Sequence, residues 1–274
     1  MKPLLALLSL TYVLVAADPP KGEPTNAKEA AAQAAAKKAA QDKVVDEKYQ
    51  AWVAKLSPEA QAWEKVLQSQ LGNFYLPLHK RDKVAGKSNA WDFVLDDPKL
   101  PRVLLIGDSV SRGYTQPTRL ALAGKANVHR APANCGPTAS GLKNLDVWLG
   151  AGKWDVIHFN FGIHDRATPA ADYVKRLEEI VARLEKTGAK LIWASTTPIP
   201  DNPAQKQTAQ SVVDKNALAA EVMKKHGIPT DDLFGAMTPR LKEFQPPLDV
   251  HYTGAGYDFL GAKVGESVLA VLAR

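Results

Sequence analysis

From Arg102 onward, continuous apolar runs alternate with segments whose apolar positions recur every three or four residues. The pattern predicts strands at 102–107, 127–131, 155–161 and 189–195, with a short one at 228–233. It predicts helices at 116–123, 139–149, 169–187, 208–226 and 254–273. Strands that alternate with helices imply a parallel sheet covered on both faces. Thr168-Pro169 is placed to start the third helix and Gly188 to stop it. The proline-bearing loop at 197–209 leaves the fourth strand on the edge where such sheets bind ligands, and is expected to rim the site.

Upstream the periodicity changes. Lys2 precedes an apolar run from Leu4 to Ala17, with Val15 and Ala17 as small residues ahead of Asp18; this reads as an export leader over 1–17. The run is shorter than the ~20 residues of a spanning helix. No cysteine follows the cut, which argues against a lipid anchor. Pro19, Pro20 and Pro24 make 18–26 a flexible stretch, and 28–56 is rich in Ala, Lys, Gln and Glu and should be helical, although Ala31 to Ala36 has little bulk to pack. Ser57-Pro58-Glu59 caps a second helix to about Leu71, with Trp63, Val66 and Leu67 on one face. The division is therefore leader 1–17, helical extension 18–98 and an α/β domain 99–274. Residues 18–56 are expected to be dispensable for any chemistry in that domain.

Four short blocks in the α/β part carry candidate chemistry. Gly107-Asp108-Ser109 follows the first strand and sets a serine at the sheet's carboxyl edge. A hydroxyl needs a base within hydrogen-bond reach, and the base needs a carboxylate to orient it; His251 and Asp249 supply both from one loop. Asn134-Cys135-Gly136 follows the second strand, where the Gly136 N–H can point at a developing oxyanion. The third block, Gly162-Ile163-His164-Asp165, ends the third strand. Two other readings stay open. Cys135 is either a thiol nucleophile or a small buried residue, and being the only cysteine it excludes an intrachain disulfide. A metal hydrolase using His158, His164 and Asp165 is the other, although strand alternation turns His158 into a packed layer.

The four blocks, in this order, resemble the SGNH (GDSL) hydrolase superfamily over about residues 100–274. The resemblance implies a flavodoxin-like three-layer α/β/α sandwich with a parallel sheet. It also implies hydrolysis of carboxylic esters through an acyl-enzyme, without cofactor or metal. Ser109 would be the nucleophile, His251 the base and Asp249 the acid, with Ser109, Gly136 and His164 as the oxyanion hole. Two positions differ from the family pattern: His164 stands where the third block has asparagine, and Asp249 and His251 are separated by one residue rather than two. Lipase-like or arylester hydrolysis is the neighbouring activity, and a carbohydrate-binding protein on a degenerate esterase scaffold is the reading from another class.

Charge alters little. Lys and Arg outnumber Asp and Glu by 35 to 29, giving +6, but no nucleic-acid recognition motif accompanies the excess. Short connections and the absence of an apolar lid point to an open site for small acyl groups on a polar alcohol, an O-acetylated carbohydrate first among them. The expected location is secreted or periplasmic.

Overall fold

The computed structural model describes residues 24–274; the leader expected over 1–17 and residues 18–23 lie outside them. The chain divides into two units, 1–44 and 45–274. The first is represented by most of helix α1 (Pro24–Val53), in which residues 28–41 are all exposed, as the small alanine side chains lead one to expect. The helix takes in residues 24–26, the end of the stretch expected to be flexible; Pro24 occupies a first-turn position, where a missing N–H costs nothing.

In the second unit, α2 (Pro58–Gln70) is capped by Ser57, whose hydroxyl accepts from the Ala60 N–H, and α3 (Gly72–Val84) follows directly. Leu67, Leu71 and Trp91 form a small core of their own, flanked by Trp63 and Tyr75. Beside it the buried Glu64 carboxylate accepts from the Tyr49 hydroxyl at 2.6 Å and meets His79 Nε2 at 2.9 Å. Tyr49 lies on the last turns of α1, so a truncation ending at residue 56 cuts into this packed unit. Among the described residues Tyr49 is the first buried side chain, a contact that the expectation for 18–56 did not count.

The α/β part runs β1 (Arg102–Ile106), α4 (Ser109–Ala121), β2 (Asn127–Arg130), α5 (Thr138–Leu149), β3 (Val156–Phe159), α6 (Ala170–Glu185), β4 (Lys190–Ala194), α7 (Ala209–His226) and β5 (Thr230–Asp231). Short helices α8 (Leu233–Met237) and α9 (Leu241–Phe244) precede α10 (Gly254–Leu272). All strand pairs are parallel and the order is β2-β1-β3-β4-β5. Alternation along the strands feeds two cores. Leu104, Ile106, Ile157, Phe159 and Trp193 face α5, α6 and α7, whereas Val103, Leu105, Val156 and Ile192 face α4, α8 and α10. This is the expected three-layer sandwich behind a helical extension. The strand order reverses between β1 and β3, and such a reversal opens a crevice at the carboxyl edge of the sheet.

The largest departure from the sequence reading is α4, expected at 116–123 but beginning at Ser109. Gly113 and Pro117 both argue against a helix there. Packing overrides them: the Tyr257 ring of α10 lies where a Cβ on Gly113 would stand, 2.0 Å from its nearest atom. Thr168 also does something other than expected, since α6 has no side-chain cap and the Thr168 hydroxyl donates to Asp165 at 3.1 Å. Among the described residues, no helix is long and apolar enough to cross a membrane.

Candidate active site

Ser109 is the first residue of α4, on the reversal edge of the sheet. The turn that presents it is held from several sides. Asp108 caps α4 by accepting from the Val110 N–H at 2.9 Å. From the end of β2 the buried Arg130 guanidinium donates to the carbonyls of Gly107 and Asp108 at 3.0 and 2.9 Å, and to the Ser111 hydroxyl at 2.5 Å. Burial disfavours the charge on Arg130, and these acceptors offset the loss of water. Sequence reasoning passed over Arg130, because one arginine ending an apolar strand has no periodic signature.

His251 Nε2 lies 2.8 Å from Ser109 Oγ, and its Nδ1 lies 2.8 Å from Asp249 Oδ1. A carboxylate only accepts, so Nδ1 carries the proton and Nε2 is left with a lone pair for the serine O–H. The one-residue spacing works because the same Oδ1 also accepts from the His251 backbone N–H at 3.0 Å, closing a turn in which the carboxylate folds back over its own loop. Leu248 enters that turn with φ 59°, a left-handed conformation seldom taken by a branched side chain. The loop is pinned beyond it by the Tyr252 hydroxyl, which donates to the Pro198 carbonyl at 2.8 Å, and by Thr253, which caps α10. The His251 N–H is the chief reason the Asp249 carboxyl is held below its ordinary range, so it stays ionised at neutral pH although the pair is half exposed.

The second and third blocks are tied to the first. The Cys135 N–H donates to the Gly107 carbonyl at 3.1 Å, and Gly136 turns the chain with φ 67°, a conformation that suits glycine. Among the described residues, the backbone N–H groups of Ser109 and Gly136 donate to no protein acceptor. Asp165 accepts from the Thr138 N–H at 2.7 Å and from its hydroxyl at 2.8 Å, so it clamps the third block to the start of α5. His158 is buried and meets Asp231 at 3.0 Å. His158, His164 and Asp165 are thus not brought together, and no metal-holding cluster occurs among the described residues. Burial pushes the Cys135 thiol up to about 12, which keeps it protonated and unreactive.

His164 is exposed and engages no other side chain. Asn160, just before the third block, is committed elsewhere: its amide donates to the Ala194 carbonyl at 2.8 Å and to the Thr196 hydroxyl at 2.9 Å. Ser109, His164 and His251 open into one depression of about 430 Å³. Its walls include Gln205 and Gln207 of the loop expected at the rim, and Phe74, Tyr75 and Leu78 of α3, which the sequence reading kept apart from the site. Phe74 and Leu78 are exposed large apolar side chains four residues apart, and that i, i+4 pair was the available signal.

The GDSL-like lipase/acylhydrolase family model matches residues 105–259. The chain belongs to this family. As an SGNH hydrolase it is a serine hydrolase acting on ester bonds. Among solved structures, a lipase/acylhydrolase from Enterococcus faecalis is 22% identical with TM-score 0.56, over 62% of this chain and 96% of that one. Axe2, an acetylxylan esterase from Geobacillus stearothermophilus, is 15% identical with TM-score 0.53, over 64% and 94%. The acetyl xylan esterase AlAXEase is 14% identical with TM-score 0.53, over 61% and 99%. Likeness at these identities concerns the fold. No curated protein sequence gives a significant match. The SGNH hydrolase has its third-block histidine on the wall beside the serine, so a direct test of that departure follows. His164→Ala is expected to lower kcat by ~10² with KM little changed, and His164→Asn to recover a substantial part. Steady-state kinetics on 4-nitrophenyl acetate check this; equal, small effects from both substitutions would take His164 out of the oxyanion hole.

Proposed function

We propose that Ser109, His251 and Asp249 form a catalytic triad that hydrolyses small acyl esters, acetyl esters first, on a polar alcohol such as a carbohydrate. One observation carries the reading: the unbroken path from Ser109 Oγ through the His251 ring to Asp249, with 2.8 Å at each step. His251 takes the Ser109 proton as Oγ attacks the ester carbonyl. The N–H groups of Ser109 and Gly136, with the His164 ring, stabilise the oxyanion, and the imidazolium then protonates the departing alcohol. Water repeats the cycle on the acyl-enzyme. The exposed Gln205 amide suits a hydroxylated alcohol, and the acetylxylan esterases among the similar folds act on such esters. The leader-like residues 1–17 support export to a secreted or periplasmic location, where polysaccharide esters occur.

A second reading, hydrolysis of aryl or longer acyl esters, draws on Phe74 and Leu78 at the rim. A panel of acetylated xylo-oligosaccharides with 4-nitrophenyl acetate, butyrate and octanoate separates the two. The proposal expects acetate release from the oligosaccharides and kcat/KM falling at least ~10-fold from acetate to octanoate, the scale on which a pocket discriminates methylenes. A rise with chain length, without release from the sugars, would favour the second reading.

A further inference from the structure

Most arginines near the sheet are spoken for. Arg102, Arg119, Arg130 and Arg183 each donate to a carbonyl or a carboxylate. Arg112 and Arg166 are different: both are partly buried, and neither has a hydrogen-bond or ion-pair partner among the described residues. Arg112 Nε is buried without an acceptor, and its guanidinium lies over the Tyr75 ring at 5.5 Å. Burial alone lowers the Arg166 pKa, with no neighbouring charge to compensate. The Arg112 guanidinium has the Tyr75 ring beneath it but no acceptor at Nε, and Arg166 has no counter-charge to offset its partial burial, so an anion bound beside them would be stabilised.

Both side chains line the depression that holds Ser109 and His251. Arg112 is three residues after Ser109 on α4 and so shares its face, while Arg166 follows the third block two residues after His164. None of the described residues lining the depression is acidic, and Asp249, beside its Val250 and His251 wall, is engaged by His251. A planar or tetrahedral oxyanion is the partner that guanidinium forks fit best.

We propose that Arg112 and Arg166 form an anion subsite beside Ser109, so that the preferred substrates are esters carrying a carboxylate or sulfate group close to the scissile bond. This rests on the reading of Ser109 as the esterase nucleophile, and it narrows the substrate class from neutral acetylated alcohols to acidic ones. Uronic acid residues and sulfated sugars share that chemistry.

Matched aryl acetates test it: 4-acetoxybenzoate against 4-acetoxybenzamide, and 4-acetoxybenzenesulfonate against 4-acetoxybenzenesulfonamide. The neutral member of each pair has the more electron-withdrawing substituent, so a preference for the anion cannot come from the leaving group. The enzyme is expected to favour the anionic member by ~10-fold or more in kcat/KM at ~20 mM salt, chiefly through KM, and the ratio should shrink in ~0.5 M salt. Preference in one pair alone identifies which group the site takes. Arg112→Gln and Arg166→Gln should each bring the ratio to about two or below, Arg→Lys at either position should keep part of it, and Lys263→Gln on the surface of α10 should leave it intact. Thermal melts identify any variant that has failed to fold, and the Lys variants then carry the comparison. Equal kcat/KM for both members of each pair, or a ratio that survives both Gln variants, would overturn the subsite while leaving the esterase reading standing. Failure to hydrolyse any of the four, with no phosphonate labelling of Ser109, would overturn both.

Discussion

Ser109→Ala is expected to lower kcat on 4-nitrophenyl acetate by at least ~10³, equivalent to about 4 kcal/mol of transition-state stabilisation, while the protein folds and melts like the parent. The hydroxyl is almost enclosed at the head of α4, and its hydrogen-bond partner is the His251 ring. Removing one oxygen leaves Asp108 capping the helix and Arg130 bracing the turn, so the fold has little reason to respond. On the proposed mechanism, what disappears is the atom that bonds to the acyl carbon. The residual rate would reflect water activated by His251 in a site that still holds the oxyanion. A variant within tenfold of the parent would mean that the serine is not the nucleophile.

Asp249→Asn is expected to cost ~10³ in kcat with a small change in KM. The amide can donate to Nδ1, which favours the tautomer with its proton on Nε2 and leaves the Ser109 hydroxyl without a base; an enclosed triad loses ~10⁴ this way. The smaller figure follows from exposure, because water competes for the ring at a half-exposed pair. One oxygen, Oδ1, meets both the His251 N–H and Nδ1. Asn either keeps its oxygen there, holding the turn but losing the charge that steadies the imidazolium, or puts its NH2 there, reversing the tautomer and giving up the N–H acceptor. Kinetics together with a melting curve check this. A loss below threefold would assign the orienting role elsewhere and leave the D-x-H turn purely structural.

The sandwich was legible because β1, β3 and β4 are largely apolar and the main helices repeat their apolar positions at helical spacing. That reading places Ser109, Gly136, His164, Asp249 and His251 on the carboxyl edge of one sheet, and the structure brings Ser109, His251 and Asp249 into a hydrogen-bonded line. The start of α4 was hidden because Gly113 and Pro117 disfavour a helix locally, while the compensating contact comes from Tyr257, far along the chain. The D-x-H turn depends on Leu248 adopting a positive φ, which no residue pattern announces. Arg130 and the α3 side chains reach the site only through the tertiary fold. Their neighbours in sequence say nothing about Gly107 or about the depression they help to wall.

The most direct test is covalent. A fluorophosphonate probe reacts with a serine only where a base has activated the hydroxyl and donors receive the developing oxyanion, so it samples nucleophile, base and hole together. Incubation of the full-length protein with the probe, followed by intact-mass measurement and peptide mapping, should give one adduct, on Ser109, with ester hydrolysis lost in parallel. Modification at another residue, or full activity with Ser109 unlabelled, would contradict the account.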